Sequence, residues 1–407
     1  MDFEYNEEQK EIIRNVKEVS EEFKDVFYKA NQENERYSAE DDKRLRQACD
    51  RRGLLGMTVP KEWGGQGKSL LDYLIGVEHA LRYGPGMYLS YLMSYTANGE
   101  VLQILHEGTE EAKNKYLRDL VKYRKVLGLA LVEAGAGSAL TDITTTARLD
   151  GDHYILNGQK RWVGYGGEAD LYYTLVREPG TRGARGTFIV LVDKDSPGLS
   201  YGKDWGFWGV YQGLRHDLIF KNCRVPKENL LVTAGRFGEV MMAFNTFRLQ
   251  NAARTLGMAE GALDAAISWS QKRRQFGKPL CEFQMIQSRL ADMAMEVEAA
   301  RLLLYRAASR GMGREAPPLD TSIAKEYCNQ VAIKVCDSAC HIHGAYGFIR
   351  ESDTEWRYRQ ARVMAIATGT TEMQKVRIVS ELLGRRFNQR LNAFDPDLFE
   401  MPLEPEL

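Results

Sequence analysis

The chain has 407 residues, 44% hydrophobic and 27% charged, an ordinary globular composition that is long enough for a large core and two or three domains. A formal charge of −1 and a pI near 6.6 lack the clustered basic excess that phosphate backbones demand, which argues against nucleic acid or an anionic membrane surface as a partner. Cys49, Cys223, Cys281, Cys328, Cys336 and Cys340 show no short repeated spacing, so a reducing compartment is expected rather than a disulfide framework; the acidic start Met1–Glu8 and the lack of an apolar run near ~18 residues point to a cytoplasmic protein with no membrane span.

From Glu7 to about Tyr123, apolar residues recur three and four apart, at Ile12, Val16, Val19 and Phe23 and again at Tyr91, Tyr95, Leu102 and Leu105. This spacing predicts helices, separated by Gly64-Gly65-Gln66-Gly67 and Gly84-Pro85-Gly86, and gives a helical domain over residues 1–124. Short β-type runs follow: Val126–Val132, Thr144–Leu149, Tyr154–Leu156, Leu171–Val176 and Thr187–Val192, with Asp150-Gly151-Asp152 as a hairpin signal. They are too closely spaced for crossover helices, which excludes a doubly wound sheet and predicts a β domain over residues 125–235. From 236 to 387 two apolar seams, Ile286-Leu290-Met293-Val297-Ala300-Leu304 and Ala324-Cys328-Val331-Val335-Ala339-Ile342, predict a helical bundle. Residues 388–407 read as a surface tail.

Three segments carry a family likeness. They are Glu133-Ala134-Gly135-Ala136-Gly137-Ser138, followed by Leu156-Asn157-Gly158-Gln159-Lys160-Arg161-Trp162; then Lys272-Arg273-Arg274-Gln275-Phe276-Gly277-Lys278; then Ile366-Ala367-Thr368-Gly369-Thr370-Thr371-Glu372-Met373-Gln374. Alone, Gly135-Ala136-Gly137 reads as a turn, since no G-x-G-x-x-G follows a strand and opens a helix. In this order and at these separations, the three segments resemble the FAD-dependent acyl-CoA dehydrogenases from about Phe3 to Phe387. The resemblance implies an α+β fold with an N-terminal helical domain, a middle β-barrel-like domain and a C-terminal four-helix bundle. It also implies FAD, an acyl-CoA substrate, electron-transferring flavoprotein as electron acceptor and a homotetramer.

Carried over position by position, Leu131, Val132 and Ser138 match flavin- or substrate-contacting residues, and Trp162 matches the tryptophan that packs on the flavin. Arg273 and Phe276, with His341 and Gly344, match residues that hold the adenine half and pyrophosphate of a neighbouring subunit's FAD; an arginine fork suits a diphosphate. Thr370 and Glu372 match positions that reach the ribitol or adenosine. Departures cluster at the reactive edge: Gly164 stands where a hydroxyl is expected near flavin N5, Val132 where threonine is common, and Ala139 where aspartate follows the serine.

The largest departure is the base. The glutamate that removes the α-proton in relatives matches Thr368, beside Gly369, and the second known position for it matches Phe247. Neither can act as a base at neutral pH. Arg248, the companion of the base, is present and with Ser138, Phe247 and Gly369 falls on substrate-facing positions. General-base catalysis contributes typically ~10²–10⁴-fold, so three readings compete. The acyl group is unusual (alicyclic, aromatic-ring or already unsaturated) and its proton is handled elsewhere; or ordinary α,β-dehydrogenation uses another base; or the chain is a non-catalytic flavin-binding subunit. Tyr95 and Glu100, on the helical stretch that closes the acyl pocket in relatives, are candidate substitutes for the base. The cluster Trp205-Gly206-Phe207-Trp208-Gly209-Val210-Tyr211 is expected to shape a pocket for a ring or bulky acyl group. His341, His343, Cys336 and Cys340 lack the spacing of a zinc signature, and no metal is expected.

Overall fold

Capping and amphipathic spacing set the first helices of the computed structural model, which describes residues 4–33, 37–206, 215–311, 316–385 and 387. Helix α1 (Glu7–Glu22) begins at a capping box between Asn6 and Gln9 and buries Ile12, Val16 and Val19. It is followed by α2 (Lys24–Glu33), α3 (Ala39–Arg51) and α4 (Leu70–Arg82), the last opened by a second capping box between Ser69 and Asp72. Past the Gly84-Pro85-Gly86 break come α5 (Met87–Tyr95) and α6 (Gly99–Glu107), then the short α7 (Glu110–Ala112) and α8 (Arg118–Val121).

The middle of the chain forms one eight-stranded sheet. Its strands are β1 (Leu127–Ala130), β2 (Thr146–Asp150), β3 (His153–Gly164), β4 (Leu171–Arg177), β5 (Thr187–Asp193), β6 (Leu199–Asp204), β7 (Arg215–Pro226) and β8 (Leu230–Val232). The path runs β6-β7-β3-β2-β4-β5-β8, with β1 parallel to β4 as a branch. Asp150 pairs with His153, and Gly151 between them takes φ +62°, the hairpin expected at that glycine. The barrel-like closure expected from the family resemblance is not found among the described residues, where β6 and the three-residue β8 are the unpaired ends of an open path. Two parallel pairings, β1 with β4 and β2 with β4, arise without crossover helices because the chain leaves β1 and returns through the β2–β3 hairpin.

Helix α9 (Phe237–Lys272) is the axis of the remainder; it buries residues on every side over most of its length and packs against α4 and α6 as well as its C-terminal partners. A two-stranded hairpin, β9 (Arg274–Gln275) and β10 (Lys278–Pro279), leads to α10 (Gln284–Arg310), α11 (Pro318–His343), α12 (Asp353–Met364) and α13 (Thr371–Leu382). Both predicted seams face the core: Met293, Val297, Ala300 and Leu304 on α10 are buried, as are all six α11 positions. One hydrophobic core therefore joins residues from α1 to α12, and a second joins α6 and α8 to the sheet. A β-carbon at Gly99 would lie 2.2 Å from the Ala243 carbonyl oxygen, so α6 meets α9 backbone to backbone. No described helix is long and apolar enough to cross a membrane. The predicted tail 388–407 and residues Phe207–Tyr211 of the aromatic cluster lie outside the described residues.

Candidate active site

Where β1 ends, a buried ion pair fixes the loop that the sequence marks for flavin contact. The Lys160 ammonium, on β3 and fully buried, donates to the Leu131 carbonyl at 3.1 Å and to Glu133 Oε1 at 2.7 Å. Glu133 also accepts from the Thr144 amide and hydroxyl at 2.6 and 2.8 Å and from the Thr145 amide at 3.0 Å. Burial raises the Glu133 carboxyl, but Lys160 and the threonines outweigh it and hold it below the usual carboxylate range. The Arg161 amide donates to the Val132 carbonyl at 2.9 Å, so Leu131 and Val132 are tied to the strand that carries Trp162. Ser138 is exposed, and a β-carbon at Gly135 or Gly137 would meet nothing within 4 Å. Beside this loop the Trp162 indole is 39% exposed and meets Trp205 edge-on at 4.7 Å between centroids. A bare backbone loop beside an open aromatic face suits a large planar ligand, and these residues fit an isoalloxazine.

Left-handed backbone recurs at three matched positions and at Tyr165 beside one of them. Trp162, Tyr165, Phe276 and Thr368 have φ of +61°, +57°, +50° and +58°. Such conformations cost about 1–3 kcal/mol each in non-glycine residues and collect at functional sites; a β-branched residue there is rarer still. The Thr368 hydroxyl donates to the neighbouring Ala367 carbonyl at 2.7 Å. Gly369 follows at φ +87°, and Thr370 caps α13, its hydroxyl accepting from the Met373 amide. Glu372 is exposed in the first turn of α13, where backbone and threonine hydrogen bonds hold its carboxyl below the usual range. Asn251 of α9 donates to the Met364 carbonyl at 3.0 Å, which pins the end of α12 and the start of this loop to α9. One turn earlier Arg248 is buried; it donates to Asn245 Oδ1 at 2.9 Å while its Nε has no partner. Phe247 is half-buried against Phe244.

Tyr95, at the end of α5, meets Tyr165 edge-on at 5.1 Å between centroids, immediately after Gly164. The structure thus brings the proposed pocket helix to the strand end that carries Trp162. Tyr165 escaped sequence reasoning although it directly follows the Trp162-Val163-Gly164 departure; its buried hydroxyl lies against that of Tyr123. Glu100 is 2% exposed, both carboxylate oxygens lack partners, and burial raises it to about 8. Its electrostatic neighbours are Tyr73 and Tyr173. No described contact joins it to Thr368 or Trp162.

Arg273, Phe276, His341 and Gly344 form a separate group. Phe247 and Arg273 are 26 positions apart on and just past one continuous helix, roughly 39 Å at the α-helical rise. There Phe276 is 95% exposed, Arg273 lies over Tyr346 at 5.8 Å, and His343 stacks on Trp269 at 5.0 Å. Among the described residues no three His, Cys, Asp or Glu side chains are grouped to hold a metal ion.

Fold and site define an oxidoreductase built as helices, sheet and helices around a flavin-sized open face. The acyl-CoA dehydrogenase N-terminal, middle and C-terminal domain families match residues 6–124, 128–223 and 237–383. The chain is 37% identical over 334 residues to the caffeyl-CoA reductase-Etf complex subunit CarC of Acetobacterium woodii, covering 81% of this chain and 87% of that one. It is 35% identical over 349 residues to a 3-(aryl)acrylate reductase of Clostridium sporogenes, covering 85% and 92%. The butyryl-CoA dehydrogenase structure from Megasphaera elsdenii superposes with a TM-score of 0.87, at 32% identity over 94% of this chain and 100% of that one. The chain belongs to the acyl-CoA dehydrogenase family, whose cofactor is FAD.

Replacing Lys160 by Met leaves Glu133 buried without its cation, a loss expected to cost about 3–5 kcal/mol; chemical denaturation should show it, together with release of flavin on gel filtration. Glu100 gives a pH signature. Its carboxyl is held above its ordinary value near 4.5, so the folded state binds more protons than the unfolded state and stability should fall as pH rises from about 4.5 through 8. Glu100→Gln should flatten that part of the melting-temperature profile and be more stable than wild type above pH 8.

Proposed function

We propose that the protein is an FAD-dependent oxidoreductase acting on the CoA thioester of an unusual acyl group, alicyclic, aromatic-ring or already unsaturated, whose proton is not handled at residue 368. The observation that carries this reading is Thr368 itself, a non-ionisable side chain in a left-handed conformation whose hydroxyl is turned onto its own neighbour's carbonyl. Phe247, at the alternative position, is equally unable to accept a proton. The aromatic surroundings of Tyr95, Tyr165 and Trp162 support a flat acyl group, as do relatives named for caffeyl-CoA and arylacrylate.

FAD, when bound, supplies the hydride acceptor or donor. The chain's own residues do the rest. Leu131 and Val132, fixed by the Glu133–Lys160 pair, offer backbone to the ring system; Trp162 shields one face from water; and Arg248 places a buried positive charge at a substrate-facing position. Tyr95, whose ring meets Tyr165, is the candidate for holding a proton. The group at Arg273, Phe276, His341 and Gly344 lies at the far end of α9 from Phe247 and Arg248, which supports a homotetramer in which it completes a neighbour's FAD site. Electron-transferring flavoprotein is the proposed redox partner, in keeping with the Etf complex named for one relative, and the cytoplasm the proposed location.

Thr368→Glu tests the assignment of the base position. Assayed with butyryl-CoA under anaerobic conditions, the variant should form crotonyl-CoA at least about tenfold faster than wild type, within the ~10²–10⁴-fold that a general base contributes. An unchanged rate in a variant that retains FAD contradicts the assignment.

A further inference from the structure

Helices α9 and α11 lie side by side and run in the same direction. Asn245 Nδ2 donates to the Ala316 carbonyl at 3.4 Å, Asn329 Nδ2 to Asn251 Oδ1 at 2.8 Å, and Cys336 Sγ to the Met258 carbonyl at 3.9 Å. In this register Lys325, one turn before Asn329, comes level with Arg248, nearly one turn before Asn251. Lys325 is fully buried and its ammonium has no partner; Arg248 is 7% exposed and its Nε has none. A third cation arrives from α13, where Arg377 is half-buried and acts on Arg248 through its charge. Helix α13 is fastened there by Lys375, which pairs with Glu326 at 3.2 Å, next to Lys325 in sequence.

The neighbouring carboxylates offset this cluster only in part. Glu326 and Glu372 act on Lys325 through their charges, but Glu326 is also paired with Lys375 and Glu372 is exposed in the first turn of α13 and hydrogen-bonded to Thr371, while Glu381 acts on Arg377. Burial, with the charge of Arg248, outweighs Glu372 and Glu326 and pushes the Lys325 amine down to about 7, and burial, with the charge of Arg377, lowers Arg248 to about 9. Buried cations with unused donors are costly unless an anion is supplied. Thr368, on the loop between α12 and α13, brings none.

We propose that Arg248, Lys325 and Arg377 form a binding site for a carboxylate carried by the acyl group of the substrate. The proposal rests on the thioester reading above and narrows it: a ring or chain bearing its own anionic group is preferred over a neutral one. A guanidinium with a free Nε and an ammonium with unused protons are donors matched to a carboxylate.

The test is an anaerobic titration of the purified holoenzyme with adipoyl-CoA and with hexanoyl-CoA, two thioesters of equal carbon number that differ in the terminal carboxylate, read by the change in flavin absorbance. Adipoyl-CoA should bind at least about tenfold more tightly. That preference should fall below about threefold in both Lys325→Met and Arg377→Leu, with FAD content unchanged; either variant alone suffices if the other does not fold. Equal binding of the two thioesters, or a preference that survives in the variants, overturns the proposal and leaves the thioester reading intact. A response to sodium acetate alone that the variants abolish, without any adipoyl preference, assigns the site to free anions and also overturns it. No response to either thioester overturns the proposal, and a flavin response to cyclic or unsaturated thioesters in the same preparation then leaves the thioester reading standing.

Discussion

The Glu133–Lys160 pair is the constraint on which the geometry of the site depends. A buried ammonium and carboxylate are tolerable only when their remaining hydrogen-bonding capacity is met, and here the Leu131 carbonyl and the Thr144 and Thr145 donors meet it. The same bonds fix the exit of β1 against β3. The Arg161 amide bond to the Val132 carbonyl adds a second tie that holds the loop from Val132 to Ser138 near Trp162. The exposed indole and the open loop are therefore held by residues that are themselves out of reach of a ligand.

A second constraint is charge. α9 carries Arg248 into a buried environment, α11 adds Lys325 and α13 adds Arg377, while the loop before α13 presents a threonine hydroxyl bonded to its own backbone. The left-handed Thr368 persists because its neighbours determine it: Asn251 holds the Met364 carbonyl, the Thr371 amide returns to the Ala365 carbonyl, and Gln374 bonds the Gly369 carbonyl. A positively charged region with a rigid, non-basic loop is suited to stabilising negative charge rather than to accepting a proton. That distinction separates the proposed chemistry from simple α,β-dehydrogenation.

Much of the fold was legible because it follows from local periodicity. The α10 and α11 seams, Ile12 to Phe23 on α1, and the Gly151 hairpin depend on spacing or on a turn residue, and each is where the sequence put it. The open strand order of the sheet was not legible, because the β1–β4 and β2–β4 pairings join segments far apart in sequence. The flavin-loop residues and Trp162 were found by motif, yet the pairing of Glu133 with Lys160, both inside quoted segments, needed the tertiary register of β1 and β3. Tyr165 was missed because nothing in a lone tyrosine after Gly164 announces contact with Tyr95. Glu100 was singled out as a candidate base, but its burial against Tyr73 and Tyr173 depends on how α6 seats on the sheet and could not be read from helical spacing.

The central claim is that the acyl group, not merely the position of the base, differs from that of a straight-chain dehydrogenase. The most direct measurement mixes the holoprotein anaerobically with straight-chain, branched, alicyclic and aryl-bearing CoA thioesters, follows flavin absorbance and identifies the products by mass spectrometry. Flavin reduction confined to cyclic or unsaturated thioesters, or reoxidation of chemically reduced flavin by an unsaturated one, is the predicted result. Rapid bleaching by saturated straight-chain thioesters with the 2-enoyl product, or no flavin response to any thioester, would contradict the account.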